Sequence, residues 1–198
     1  MTAGTDPHAG HAHAATPDRS VRPALVGDAG AIARIQCRTL ESLLVDAVGE
    51  SAPRIPEDTV RAQWASTLSA PRPEGCHTLV ALHGLGVAGF LSCAPAPALP
   101  PQGGRTDEIP AGTEILTLAV DPDFTRSGHA SRLLAALVDI TGAPSLREWV
   151  TAGDEAHVRF LSSAGFAPAG LRRSLEVGPA PLVEHLWWTL GRRAALGD

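Results

Sequence analysis

The stretch Glu114-Ile-Leu-Thr-Leu-Ala-Val120, stopped by Asp121-Pro122 and continued by Thr125-Arg-Ser-Gly-His-Ala130 into a run of apolar residues, constrains the fold more than any other part of the chain. Its first part predicts a strand, because it is mostly apolar and is stopped at Asp121-Pro122, where proline has no N–H to donate. Its last part predicts a helix from about Gly128 to Ile140. A helix entered through such a loop leaves its first backbone N–H groups without intrahelical partners, at the positive end of the helix dipole. Ser127, Gly128 and Ala130 are small enough to let a diphosphate approach the main chain, and Arg126 adds a charged donor. The GxGxxG fingerprint of a dinucleotide site is absent. A P-loop is excluded because the chain has no lysine.

Other elements follow from the same reading. Val21 to Val26 predicts a short strand with a helix N-cap at Gly27-Asp28. Ala31, Ile32, Ile35, Leu40, Leu43 and Leu44 then recur at helical spacing. Prolines between Ser51 and Pro56 break that pattern, and a second helix starts at Glu57-Asp58 and ends before Pro71, with Val60, Trp64 and Leu68 on one face. His77–Leu82 and Val87–Cys93, separated by His83-Gly-Leu-Gly86, predict an antiparallel hairpin. A long loop rich in proline and glycine spans Ala94 to Pro110. Trp149-Val150 predicts a strand, Glu155 to Ala164 a helix, and 166–177 with 182–190 a last strand pair joined through Gly178-Pro179. On such a strand Trp187 and Trp188 point to opposite faces.

A chain of 198 residues suits one core, and the domain is expected over 21–191, with 1–20 a disordered leader and 192–198 a short tail. His8, His11 and His13 lie in that leader without a thiolate or a well-placed carboxylate partner, so no functional metal site is expected. The net charge of −5 argues against nucleic acid or an anionic membrane as a partner. Cys37, Cys76 and Cys93 form no pair of close spacing, and no apolar run reaches the length of a bilayer, so a cytoplasmic protein is expected.

Two blocks carry a resemblance to the GNAT superfamily of N-acetyltransferases, as found in bacteria. Glu114 to Leu134 resembles that family's fourth strand and pyrophosphate loop, where the pattern Q/R-x-x-G-x-G/A is met by Gly128 and Ala130. Thr125 stands at the Gln/Arg position, and Arg126 follows one place later. Trp149 to Phe166 resembles the fifth strand and following helix, ending in Ala164-Gly165-Phe166. The likeness runs in order over about residues 20 to 191.

The resemblance implies an α/β fold (α+β in some schemes), with a mixed, mostly antiparallel sheet of six or seven strands flanked by about four helices. It also implies an acyltransferase that moves an acetyl group from acetyl-CoA, as co-substrate, to a primary amine of a small molecule or peptide by direct attack. Main-chain groups of Leu118, Ala119 and Val120 would hold the pantetheine arm. Thr125, Arg126, Ser127, Gly128, His129, Ala130 and Ser131 would hold the diphosphate, with Asp154 at the start of the next helix. Glu114 is the candidate base for the ammonium proton. The family's tyrosine acid is replaced by Leu161, and His157, one helical turn earlier, is the candidate substitute; His129 or a water is another. The missing tyrosine also suits a second reading, a domain that binds acyl-CoA or a partner without catalysis. Selectivity is expected around Arg38, Glu41, Trp64, Trp187 and Trp188, and the resemblance leaves room for a homodimer.

Overall fold

A computed structural model describes residues 19–49, 52–102, 107–177 and 180–191. The expected leader up to residue 18, the tail from 192 and the Gly178-Pro179 junction lie outside these residues. Arg19 and Ser20, assigned to the leader by composition, are tied to the domain: Leu82 N–H donates to the Ser20 carbonyl, and Arg19 donates to the Ser127 carbonyl.

In chain order the elements are β1 (Val21–Pro23), α1 (Ala29–Val48), α2 (Glu57–Ser69), β2 (His77–His83), β3 (Gly86–Ala96), β4 (Gly112–Val120), α3 (His129–Thr141), β5 (Ser145–Thr151), α4 (Glu155–Ser163), β6 (Ala167–Val177) and β7 (Ala180–Leu190). The predicted first strand is shorter than expected, because Val26–Asp28 turns as a 3-10 helix into α1. Asp28 fixes that turn by accepting both terminal nitrogens of Arg22 at 2.7 and 2.9 Å and the Leu25 N–H at 2.7 Å. The predicted strand at Trp149-Val150 extends back to Ser145, since Arg147 and Glu148 are buried within it.

All seven strands form one sheet in the order β1-β2-β3-β4-β5-β7-β6, antiparallel except where β4 runs parallel to β5. The chain thus builds a mixed sheet with four helices, as the resemblance implied. β7 lies between β5 and β6 rather than at the edge. α3 and α4 cover one face, where Leu133, Leu134, Leu137 and Leu161 meet Leu79, Leu91, Ile115, Leu146 and Val150. On the other face Ile32, Ile35, Trp64 and Leu68 pack on Val80, Phe90 and Ala119. Trp187 joins the first cluster and Trp188 a third one around Ile109, Ala169 and Leu186, so the tandem tryptophans do face opposite ways. No described helix is long and apolar enough to cross a membrane.

Two irregularities shape the middle of the sheet. Ser92 pairs with Thr117 but Cys93 pairs with Ile115, so Leu116 is an extra residue on β4, a β-bulge. The bulge reverses side-chain parity, which is why Ile115 and Leu118, three apart, enter the same core cluster. Next to it the parallel ladder stops: β4 pairs with β5 only from Thr113↔Leu146 to Ile115↔Glu148. Beyond that vertex β4 keeps β3 and β5 keeps β7, and the two strands part.

Candidate functional site

The opening between β4 and β5 leads toward the N-terminus of α3. Asp121 starts the connecting turn, its side chain accepting the Asp123 N–H, and Arg38 of α1 clamps the turn through Asp121 at 2.7 Å and Asp123 at 3.0 Å. Arg38 therefore builds the loop rather than reaching freely toward a substrate. Trp64 likewise packs edge-on against Phe90 and donates to Gln36 at 2.6 Å.

The loop then enters α3 through two left-handed residues, Arg126 with φ 58° and Gly128 with φ 77°. Glycine takes that conformation without strain, whereas arginine needs the surroundings to hold it there. No side chain caps α3, and no acidic residue lies in its first turn. The Ser127 carbonyl accepts from Arg132 at 3.0 Å and from Arg19 at 3.3 Å, so two further guanidinium groups stand beside the loop. Uncapped N–H groups, a glycine approach and nearby arginines are what a diphosphate requires. The residues present thus fit that part of coenzyme A.

His129 opens α3 with its side chain buried beneath the loop, its Nε2 3.2 Å from Nδ1 of His83 on β2. The Phe124 ring lies 4.8 Å from that of His83. Burial, with the nearby His83, Arg132 and Arg19, pulls the His129 imidazole below its ordinary range, so it is neutral near pH 7. Its side chain is a prop under the loop, while its backbone N–H stands at the uncapped start of α3.

Two ionisable couples flank the vertex. On the face of α1 and α2, Glu114 accepts from Nε of buried Arg147 at 2.8 Å, and Arg147 also donates to the Pro97 carbonyl at 2.7 Å. On the face of α3 and α4, Glu148 Oε1 lies 3.2 Å from Nε2 of His157. Asp154 caps α4 by accepting the His157 N–H at 3.0 Å, as the sequence suggested, and its other oxygen lies 3.9 Å from His157 Nδ1. Burial alone would lower the His157 pKa, but the Glu148 contact and Asp154 outweigh it and raise it above the ordinary value. Burial pushes the Glu148 carboxyl up. Leu161 is fully enclosed in the core and offers no proton.

The expected residues thus gather in three places: Thr125 to Ser131 at the helix start, Leu118 to Val120 along the freed edge of β4, and Asp154 with His157 at the mouth of α4. Glu114 and His157 share the vertex but not the face. Reading the sequence missed Arg19, Arg132, Arg147 and Glu148. A signal for Glu148 existed, since it alternates with Leu146 and Val150 on a core-facing edge of β5.

The model of the acetyltransferase (GNAT) family matches residues 37–166. The chain belongs to the GNAT acetyltransferase family. Solved structures agree on the fold. A ribosomal-protein-alanine N-acetyltransferase from Brucella melitensis superposes with a TM-score of 0.60 at 21% identity, over 86% of this chain and 99% of that one. The ribosomal-protein-S18-alanine N-acetyltransferase from Escherichia coli gives 0.56 at 17%, over 88% and 94%. The protein yncA from Salmonella typhimurium, solved with its cofactor acetyl-CoA, gives 0.57 at 18%, over 91% and 98%. No curated protein matches the sequence. Among the described residues no group of three or more His, Cys, Asp or Glu side chains could hold a metal ion.

Proposed function

We propose that this GNAT protein is an N-acetyltransferase that uses acetyl-CoA to acetylate a primary amine of a small molecule or peptide by direct attack. The observation that carries the reading is the parting of β4 and β5 after Ile115↔Glu148, with the uncapped N-terminus of α3 at its far end. Thr125 to Ser131 would bind the diphosphate through backbone N–H groups, with Arg126 beside them. The free edge of β4 at Leu118, Ala119 and Val120 would receive the amide groups of the pantetheine arm, and Asp154 lies at the α4 side. When bound, acetyl-CoA supplies the thioester carbon that the amine attacks.

The chain's own residues then have two proton tasks. An amine acceptor is mostly ammonium at neutral pH and must lose a proton before it attacks. Glu114 suits that step, directly or through water, because Arg147 holds one of its oxygens and, among the described residues, no hydrogen bond reaches the other. His157 suits the delivery of a proton to the leaving thiolate, since it stands in for the tyrosine that Leu161 replaces and carries a raised pKa. Peptide amines belong in the acceptor panel because two similar structures are named ribosomal-protein-alanine N-acetyltransferases.

The test is thiol release from acetyl-CoA across a panel of small amines and peptides, alongside thermal unfolding with and without CoA. Stabilisation by CoA with acceptor-dependent thiol release supports the reading. Stabilisation without release from any acceptor points to a binder, and no stabilisation by any acyl-CoA sinks both.

A further inference from the structure

Glu148 is a carboxylate placed where β5 carries apolar residues. It is 4% exposed and shares a face with Leu146 and Val150. Burying a carboxylate is costly unless something compensates, and the compensation here is incomplete. Oε2 has no hydrogen-bond partner among the described residues, and the approach of Oε1 to His157 Nε2 at 3.2 Å lacks the alignment of a full hydrogen bond. The other ring nitrogen of His157, Nδ1, lies 3.9 Å from Asp154, too far for a hydrogen bond. Glu148 is also the last residue of β5 paired with β4, so the couple stands at the vertex where the strands separate. A merely structural pair would be expected to complete its bonds; this one leaves Nδ1 of His157 without a hydrogen bond among the described residues.

We propose that Glu148 is a positioning residue, whose carboxylate 3.2 Å from Nε2 of His157 attracts and orients that ring so that the proton on Nδ1 is the one delivered to the leaving thiolate. This rests on the reading of His157 as proton donor given above. The couple holds one mobile proton, whether written as imidazolium with carboxylate or as imidazole with carboxylic acid. In each turnover the amine nitrogen gives one proton to Glu114 and the sulfur takes one from Nδ1. His157 is left as a neutral imidazole that keeps Nε2–H, and both groups exchange with water before the next cycle. Among the described residues, the charged and titratable groups facing His157 are Glu148 from β5 and Asp154, the N-cap of its own helix.

The experiment follows the His157 ring by NMR in the free protein through a pH titration, the signal assigned from the spectrum of His157→Gln, and measures kcat against pH. In Glu148→Gln the His157 midpoint should fall by about one pH unit. The alkaline limb of kcat should move down with it, and kcat at neutral pH should fall about tenfold with KM for acetyl-CoA unchanged. If Glu148→Gln does not fold, the wild-type titration decides: a midpoint at or below that of a free histidine overturns the inference. If His157→Gln lowers kcat but Glu148→Gln moves neither midpoint nor limb, only the role of Glu148 falls. If His157→Gln retains full kcat and pH profile, the donor reading falls and takes this inference with it.

Discussion

Arg147 of β5 closes an ion pair of 2.8 Å with Glu114 of β4, across the last stretch where those strands are still paired. The candidate base is therefore also a bracket of the sheet, and its two roles can be separated by substitution. Glu114→Gln keeps an acceptor for Arg147 but no carboxylate. Turnover should fall at least about 100-fold while the unfolding transition moves little. Initial rates beside thermal unfolding check this, and full turnover in a folded Glu114→Gln protein would end the assignment. Arg147→Met should act the other way, removing about 3 kcal/mol of stability in denaturant titrations, because it strands a half-buried carboxylate and the Pro97 carbonyl.

Gly128 enters α3 with φ 77°, and a Cβ built there would lie 2.9 Å from Nη1 of Arg132. Gly128→Ala should cost about 1 kcal/mol of stability from the left-handed backbone. It should also push Arg132 off the Ser127 carbonyl and weaken CoA binding by about tenfold, as a perturbed backbone cradle implies. Calorimetric titration with CoA measures the second effect. Unchanged affinity would mean that the diphosphate is held elsewhere.

His129 has a folded-state pKa below its unfolded value, so the unfolded chain binds more protons in the interval between them. Its contribution to stability is complete above about pH 6.5 and is lost as pH falls through the lower folded value. Unfolding midpoints measured through this range should drop more steeply for wild type than for His129→Gln. Saturating CoA should raise the His129 midpoint by NMR, since a diphosphate anion on the neighbouring N–H groups favours imidazolium.

Asp28 is held below the ordinary carboxylate range by its hydrogen bonds to Arg22, assisted by the Leu25 N–H and offset in part by burial. A depressed acid of this kind stabilises the fold above its unfolded pKa of about 3.9 and loses that contribution as pH falls through its folded value. Asp28→Asn should lose about 2 kcal/mol at neutral pH and show a shallower acid unfolding limb than wild type. Equal stability of the two proteins at pH 7 would contradict this.

What could be read from the sequence was mostly local. The helices α2, α3 and α4 and the β2–β3 hairpin announce themselves through periodicity, proline and glycine, which act within a few residues. The placement of β7 between β5 and β6 depends on pairing across the whole sheet, and no local pattern encodes it. The ion pair of Glu114 and Arg147 joins residues 33 apart in sequence, a partnership set by the parallel crossover. Charge misled at β5, where Arg147 and Glu148 look like loop residues because their buried partners come from other segments. At the start of α3, by contrast, the features that leave the helix uncapped lie in consecutive residues, and that local geometry could be read directly.

Leu116 sits between Ile115 and Thr117, with Leu118 to Val120 beyond, so nothing in residue type marks it as the bulge. Its effect is one of counting. Glu114 and Ala119 look toward α1 and α2 while Ile115 and Leu118 look toward α3 because one residue is in surplus between them. A single deletion in this segment would turn one end of β4 over, exposing Ile115 or Leu118, and the straightened strand could zip onward along β5. The length of β4 is thus under tighter restraint than its composition: conservative exchanges within the run should be tolerated, and the loss of a single codon should not.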